Sequence, residues 1–306
     1  MNTVTPNFFV VGGPKCGTTA MVEYLRTHPD VFISEPKEPN FFADDMPEMK
    51  FVDNYKDYLN LFNKATTEKI VGDASIFYMF SEDAIKNIYQ LYPDAKLLIM
   101  IRNPIEMVPS FHQQILFTLD EDNINLLDAL ELEPERVKGF KIPKHCRSPR
   151  LLQYSEIAKY GEQIKNIYKY FPKKKVKIVL FDEFKENNRA TYQEVLSFLD
   201  VADDGRDFFP RVNDAKRAKS NFINKIVNRP PVFAKKMAKI ARKLLNKPRL
   251  GILNRIDHLN RDRLEKRPLT SGEKNKLISI YKEDIFKTAE LINRDLSIWL
   301  NTIENE

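Results

Sequence analysis

Phe8-Phe9-Val10-Val11-Gly12-Gly13-Pro14-Lys15-Cys16-Gly17-Thr18-Thr19 is the stretch on which the fold of this 306-residue chain turns. Residues 7–11 read as a short strand, and the continuous apolar run from Phe8 to Val11 is that of a strand buried on both faces. Gly12-Gly13-Pro14 ends it. Beyond Gly17, the residues Ala20, Met21, Tyr24 and Leu25 fall at helical spacing, and His28-Pro29-Asp30 stops the helix. A strand, a glycine-bearing turn and a helix N-terminus, in that order, make an anion cradle. The glycines let backbone N–H groups close around the charge, and the helix end adds partial positive charge.

Gly12 and Gly17 have the spacing of the triphosphatase loop G-x-x-x-x-G-K-[ST], and Thr19 fills its last place. Thr18, however, stands where that loop has the lysine that grips a γ-phosphate. The lysine of this loop, Lys15, comes three residues earlier, at the crest, where it can contact a bridging oxygen beside a cradled 5′-phosphate. Thr18 and Thr19 can donate to the anion or simply cap the helix. A Gly-Pro turn with a solvated lysine is the plain structural alternative.

The alternation continues outward. Residues 31–33, 69–73 (KIVGD), 96–101 (KLLIMI) and 176–181 (VKIVLF) read as strands. Residues 82–91, a stretch within 104–119, 154–170 and 190–199 read as helices. This predicts an α/β fold, P-loop-like and three-layered, with a central mainly parallel sheet flanked by helices. One domain over residues 1–306 is expected, with the sheet within about 1–205 and a basic helical part over about 206–306. Strand signals vanish after about residue 210. Residues 222–245 read as helical apart from Pro230-Pro231, and 270–300 as a long helical segment. Ser271 and Lys274 make no capping box there, although Glu273 suits a first turn.

The run Ile99-Met100-Ile101-Arg102-Asn103-Pro104 ends the clearest buried strand. Triphosphatases often hold Mg²⁺ with an Asp at such a strand end. Here Arg102 points into the ligand crevice of an open α/β sheet, where it binds an anion rather than a metal. Ser110 follows about two helical turns later. A structural ion pair for Arg102 and a surface position for Ser110 are the bland alternatives.

The chain carries a formal charge of +6, concentrated between residues 211 and 267, where 18 Lys and Arg face 4 Asp and Glu. Such a stretch is either a solvated face or a surface for an anionic ligand. Two cysteines, Cys16 and Cys146, provide no disulfide framework. No Cys/His cluster has metal-ligand spacing, so no metal is expected. No apolar run reaches the ~20 residues of a membrane span. The short run after Met1 is no signal peptide, so a cytoplasmic protein is expected.

The Gly12–Thr19 and Arg102–Ser110 stretches together resemble the sulfotransferases that use 3′-phosphoadenosine-5′-phosphosulfate (PAPS), in particular the carbohydrate-type and bacterial members. That resemblance implies sulfuryl transfer to a hydroxyl or amine without a metal, with adenosine 3′,5′-bisphosphate (PAP) as product. It implies that Pro14, Lys15, Cys16, Gly17, Thr18 and Thr19 hold the 5′-phosphosulfate, with Lys15 catalytic. It also implies that Arg102 and Ser110 hold the 3′-phosphate, joined by Arg217 from the basic stretch 213–220. Lys37-Glu38-Pro39-Asn40-Phe41-Phe42 resembles the K-E-x-x-F-F stretch of carbohydrate-type members and implies Glu38 as the base towards the acceptor. His112 is the rival base, although positions 110 and 112 do not face the same way on a helix. Residues 72–78 resemble the acceptor segment, so that Phe42, Asp73 and Tyr78 would join Glu38 at the acceptor, a small molecule or glycan. Ala74 and Ile76 stand where that segment often has Lys and Pro. Pro109 is also unusual, and a helix starting at Pro109 would change how Ser110 points. Residues 267–270 and 295–300 resemble the C-terminal end of bacterial members.

A kinase would need the lysine after Gly17 and a Mg²⁺-binding Asp, and both places are filled otherwise. A nucleic-acid binder would interleave aromatic and basic side chains as a stacking platform, which residues 211–267 do not. The acceptor and the oligomeric state are not legible in the sequence.

Overall fold

The five apolar runs form β1 (Phe8–Val10), β2 (Val31–Ile33), β3 (Ile70–Ala74), β4 (Lys96–Ile101) and β5 (Val176–Leu180) in the computed structural model, which describes residues 4–210, 216–218, 261–263 and 268–301. They make one wholly parallel sheet in the order β2-β3-β1-β4-β5. Phe8 pairs with Gly72 on one side and Lys96 on the other, which puts β1 at the centre. All three β1 residues are fully buried, as is β4 from Leu97 to Ile101. Strands covered on both faces read as unbroken apolar runs, which is why these two were so legible.

Parallel strands need crossovers, and helices supply them. The helix α1 (Thr18–Arg26) follows β1, α2 (Tyr55–Asn60) follows β2, and α3 (Ala84–Leu91) follows β3. Between β4 and β5 lie α4 (Pro104–Phe117), α5 (Leu126–Glu131), α6 (Glu133–Val137), α7 (Tyr154–Ile157) and α8 (Tyr160–Tyr168). Then come α9 (Phe181–Glu186), α10 (Asn188–Leu199), the antiparallel pair β6 (Lys216–Ala218) and β7 (Arg261–Arg263), and α11 (Ser271–Ile292).

Four local expectations are corrected. The helix α4 begins at Pro104, not Pro109, because Asn103 caps it: its Oδ1 accepts from the Ile105 N–H at 3.0 Å, and its carbonyl from Met107 at 2.8 Å. Pro109 sits inside the helix and forgoes one bond. The segment expected as one helix over 154–170 is two, α7 and α8. A capping box does open α11, but with Thr270 as N-cap rather than Ser271, reciprocated by Glu273. The pair β6 and β7 stands where no strand was expected. The helix expected over 222–245 lies outside the described residues.

The chain divides into two compact units. The first comprises Met1–Pro109, Gln153–Asn213 and Thr270–Glu306 and contains the whole five-stranded sheet. Within it α11 packs along α8. Asp284 accepts from the Gly161 and Glu162 N–H groups at 2.9 and 3.2 Å, and Tyr281 OH donates to the Tyr154 carbonyl. A carboxylate from another helix thus caps α8, whose own N-cap side chain makes no such bond. The second unit comprises Ser110–Leu152 and Asp214–Leu269. Its buried Arg136 grips Glu121 through two bonds of 2.6 and 2.7 Å, the bidentate geometry that offsets the desolvation of both charges. No helix among the described residues is long and apolar enough to cross a membrane.

Candidate active site

The cradle is built against β4. Beyond β1 the chain keeps bonding to that strand, Val11 N–H to the Leu98 carbonyl and Gly13 N–H to the Met100 carbonyl, both at 3.0 Å. A Cβ on Gly12 would overlap the Met100 backbone, so only glycine lets the loop pass this close. Lys15 and Gly17 both adopt left-handed backbone, with φ of 60° and 84°. For Gly17 this is free. For Lys15 it is strained, the kind of strain that collects at working sites. Gly17 caps α1 without a side chain, so the first N–H groups of the helix face the loop.

Cys16 turns inward. Its thiol donates to the Pro14 carbonyl at 3.2 Å, lies 3.7 Å from Tyr160 OH and is fully buried. Burial pushes the thiol pKa up to about 12. It is a packing group, and its backbone is all it offers an anion. Lys15, Gly17 and Thr19 keep some exposure at the crest.

The segment after β2 supplies the facing wall. Glu38 N–H donates to the Ala74 carbonyl at 3.0 Å, and Glu38 and Asn40 both have left-handed φ, 65° and 51°. Asp73 holds this wall from behind. Ser75 Oγ donates to Asp73 Oδ1 at 2.7 Å while accepting from the Asn40 N–H at 3.1 Å. Tyr58 and Tyr78 donate their hydroxyls to Asp73 Oδ2 at 2.9 and 2.8 Å, and the Tyr78 oxygen accepts from the Phe42 N–H at 3.4 Å. Burial raises the Asp73 carboxyl pKa to about 6, against the pull of its three hydroxyl donors.

Phe42, Asp73 and Tyr78 were expected to touch the acceptor. All three are buried, and their bonds join the end of β3 to the segment that carries Glu38. Asp73 lies one residue before the end of β3 with its carboxylate inside the core, where three hydroxyl donors satisfy it.

Lys37 is the side chain that sequence reasoning missed. Its ammonium lies 3.1 Å from Glu38 Oε1, 3.2 Å from Thr19 Oγ1 and 3.4 Å from Thr18 Oγ1. It therefore ties the carboxylate to the N-terminus of α1. The signal was its place beside Glu38 in the K-E-x-x-F-F stretch.

Arg102 leaves the end of β4 as expected and is only 5% exposed. Its guanidinium lies 4.7 Å over the Phe181 ring and donates to Glu106 one helical turn on. Its Nε is buried without a partner. Beside it, the Trp299 backbone carbonyl accepts from Asn103 Nδ2 at 3.2 Å and the Trp299 indole N–H donates to Asp182 at 3.3 Å.

Ser110, His112 and Arg217 belong to the second unit. His112 is 3% exposed, and its Nε2 lies 2.9 Å from the Asn123 carbonyl. A carbonyl only accepts, so Nε2 carries a proton and is engaged. Arg217 lies in β6, opposite Asp262 of β7 in the backbone register.

A parallel sheet with a glycine-built turn at the end of β1, a lysine at its crest and an arginine after β4 is the arrangement of an anion-binding α/β domain. Residues 5–208, well over half of the chain, match the sulfotransferase domain family, and the chain belongs to it. Carbohydrate sulfotransferase 15 of Rattus norvegicus is 23% identical over 246 residues, covering 64% of this chain and 44% of that protein. Heparan sulfate glucosamine 3-O-sulfotransferase 6 of Homo sapiens is 31% identical over 111 residues, covering 36% of this chain and 31% of that one. The chain thus spans less than half the length of these curated relatives. A crystal structure of a sulfotransferase from Alicyclobacillus acidocaldarius superposes with a TM-score of 0.71 at 25% identity, covering 97% of this chain and all of that one.

Proposed function

We propose that the enzyme takes its sulfuryl group from PAPS, releases PAP, and delivers the group to a hydroxyl or amine of a carbohydrate or another alcohol. One observation carries this reading: the cradle at the N-terminus of α1 and the carboxylate of Glu38 are linked through a single side chain, so anion site and base form one site. The names of the carbohydrate and heparan sulfate relatives support the acceptor class. Arg102 fits the ribose 3′-phosphate: a nearly buried guanidinium whose Nε has no partner is poised for an anionic oxygen. Ser110 and Arg217, in the second unit, are carried only by the family resemblance.

The donor supplies an activated sulfur with a nucleotide 5′-phosphate as leaving group. The acceptor oxygen or nitrogen forms a bond to sulfur as the bond from sulfur to the 5′-phosphate oxygen breaks. Glu38 takes the acceptor proton. Lys15 and the α1 amides neutralise the charge left on the departing oxygen. Position and preorganised charge do the work.

Two measurements test this. PAP should raise the melting temperature without Mg²⁺ while ATP with Mg²⁺ should not, and ³⁵S from labelled PAPS should appear on a member of a panel of saccharide and alcohol acceptors. A melting temperature unmoved by PAP at millimolar concentration overturns the reading.

A further inference from the structure

The ammonium of Lys37 stands at the N-terminus of α1, the end of a helix where a cation is disfavoured. It is not there by default of solvent, since its side chain is only 15% exposed. Its three donors reach three partners: the hydroxyls of Thr18 and Thr19, which open α1, and the Glu38 carboxylate. One carboxylate that is itself 32% exposed is modest compensation for a lysine placed against a positive helix end. The arrangement makes electrostatic sense when a second anion completes it.

We propose that Lys37 is a second cation for the transferred group, one that binds the sulfuryl oxygens directly and so distinguishes the sulfated donor from the desulfated product. The inference rests on the PAPS reading above. In an in-line displacement the acceptor, the sulfur and the leaving oxygen lie in a row. The leaving oxygen belongs to the cradle side, at Lys15 and the α1 amides. The acceptor belongs to the Glu38 side. Lys37 bonds to both sides at once, so it lies alongside the middle of the row, where the three sulfuryl oxygens spread. Lys15 then serves the leaving oxygen and Lys37 the migrating group. Lys37 gives and takes no proton in this role. The acceptor proton goes to Glu38, and the bonds made and broken are those at sulfur. On binding, the sulfuryl oxygens replace the two threonine hydroxyls as partners of the ammonium, and the hydroxyls turn to donate to the same anion.

The test compares affinities for PAPS and for PAP by titration calorimetry in the wild type, Lys37→Met and Lys37→Arg. Methionine keeps most of the stem and loses the charge. A lost charged hydrogen bond predicts PAPS affinity about 10- to 100-fold weaker in Lys37→Met. PAP affinity should stay within about twofold, because PAP lacks the group that Lys37 reads. Lys37→Arg should recover most of the preference for PAPS. Unliganded melting curves within a few degrees of wild type show that the fold is kept. Should Lys37→Met instead weaken both nucleotides by the same factor, or neither, the assignment to the sulfuryl group is wrong while the PAPS reading stands. If the wild type binds neither nucleotide, both fall together.

Discussion

Lys15 and Glu38, the two side chains asked to act on the leaving oxygen and the acceptor, are both held in left-handed backbone. A non-glycine residue there costs roughly 1 kcal/mol or more. That cost has a testable signature at Lys15. Lys15→Ala should keep its melting temperature within about 2 °C and lose at least about 10²–10³-fold in kcat, since one preorganised donor is gone. Lys15→Gly should be as inactive and at least as stable, because glycine relieves the strain. Wild-type turnover in either variant would remove Lys15 from the chemistry. Asp73 makes a prediction in pH. Its folded pKa, about 6, lies above the ordinary 3.8, so the folded state binds the proton more tightly than the unfolded chain. The resulting stabilisation is complete below about pH 3.8 and is lost as pH rises through about 6. At about 1.4 kcal/mol for each pH unit it amounts to about 3 kcal/mol. The stability of wild type relative to Asp73→Asn, from urea unfolding at a series of pH values, should therefore fall between pH 4 and 7 and then level off. Parallel curves would contradict it.

Among the elements, the β1–α1 turn is specified by contacts with β4 as much as by its own residues. Gly12→Ala puts a methyl group into the Met100 backbone, where nothing flexible can give way. We expect a loss of about 3 kcal/mol or more in urea unfolding. Helix α11 shows how a start signal can be present and still be misplaced by one residue. Thr270 and Glu273 bond reciprocally, whereas Ser271 and Lys274 cannot. Thr270→Ala should cost about 1 kcal/mol in the same assay, and Ser271→Ala close to nothing. For α8 the capping group is Asp284, more than a hundred residues away, so a periodicity that ran smoothly over 154–170 concealed a break.

At the scale of the first unit, the C-terminal end returns to the sheet. Trp299, 4% exposed, packs where Asn103 and Asp182 flank Arg102 and its Phe181 platform. The family match ends at residue 208, so this contact lies beyond it. Trp299→Ala should cost about 3–5 kcal/mol of stability by calorimetry, the usual range for a large buried aromatic. It should also reduce the melting-temperature rise given by PAP, because Asp182 loses the indole N–H and the backbone carbonyl that holds Asn103 beside the arginine loses the buried ring that anchors it. An unchanged response to PAP would separate the C-terminal end from the nucleotide site.

The parallel sheet, the cradle between Gly12 and Thr19 and the placing of Arg102 at a strand end were all legible from the chain. Strands buried on both faces are continuously apolar, and a phosphate-type turn needs glycines at set spacing. Both are local demands that each residue answers for itself. The division of labour around Glu38 was decided only in three dimensions. Lys37 reaches Thr18 and Thr19 across nearly twenty residues. Asp73, Ser75, Tyr58 and Tyr78 came together as one buried hydrogen-bonded network behind Glu38. His112 became an engaged, buried ring. Satisfying a buried polar group depends on which neighbours folding brings within about 3 Å, and no periodicity along the chain records that distance.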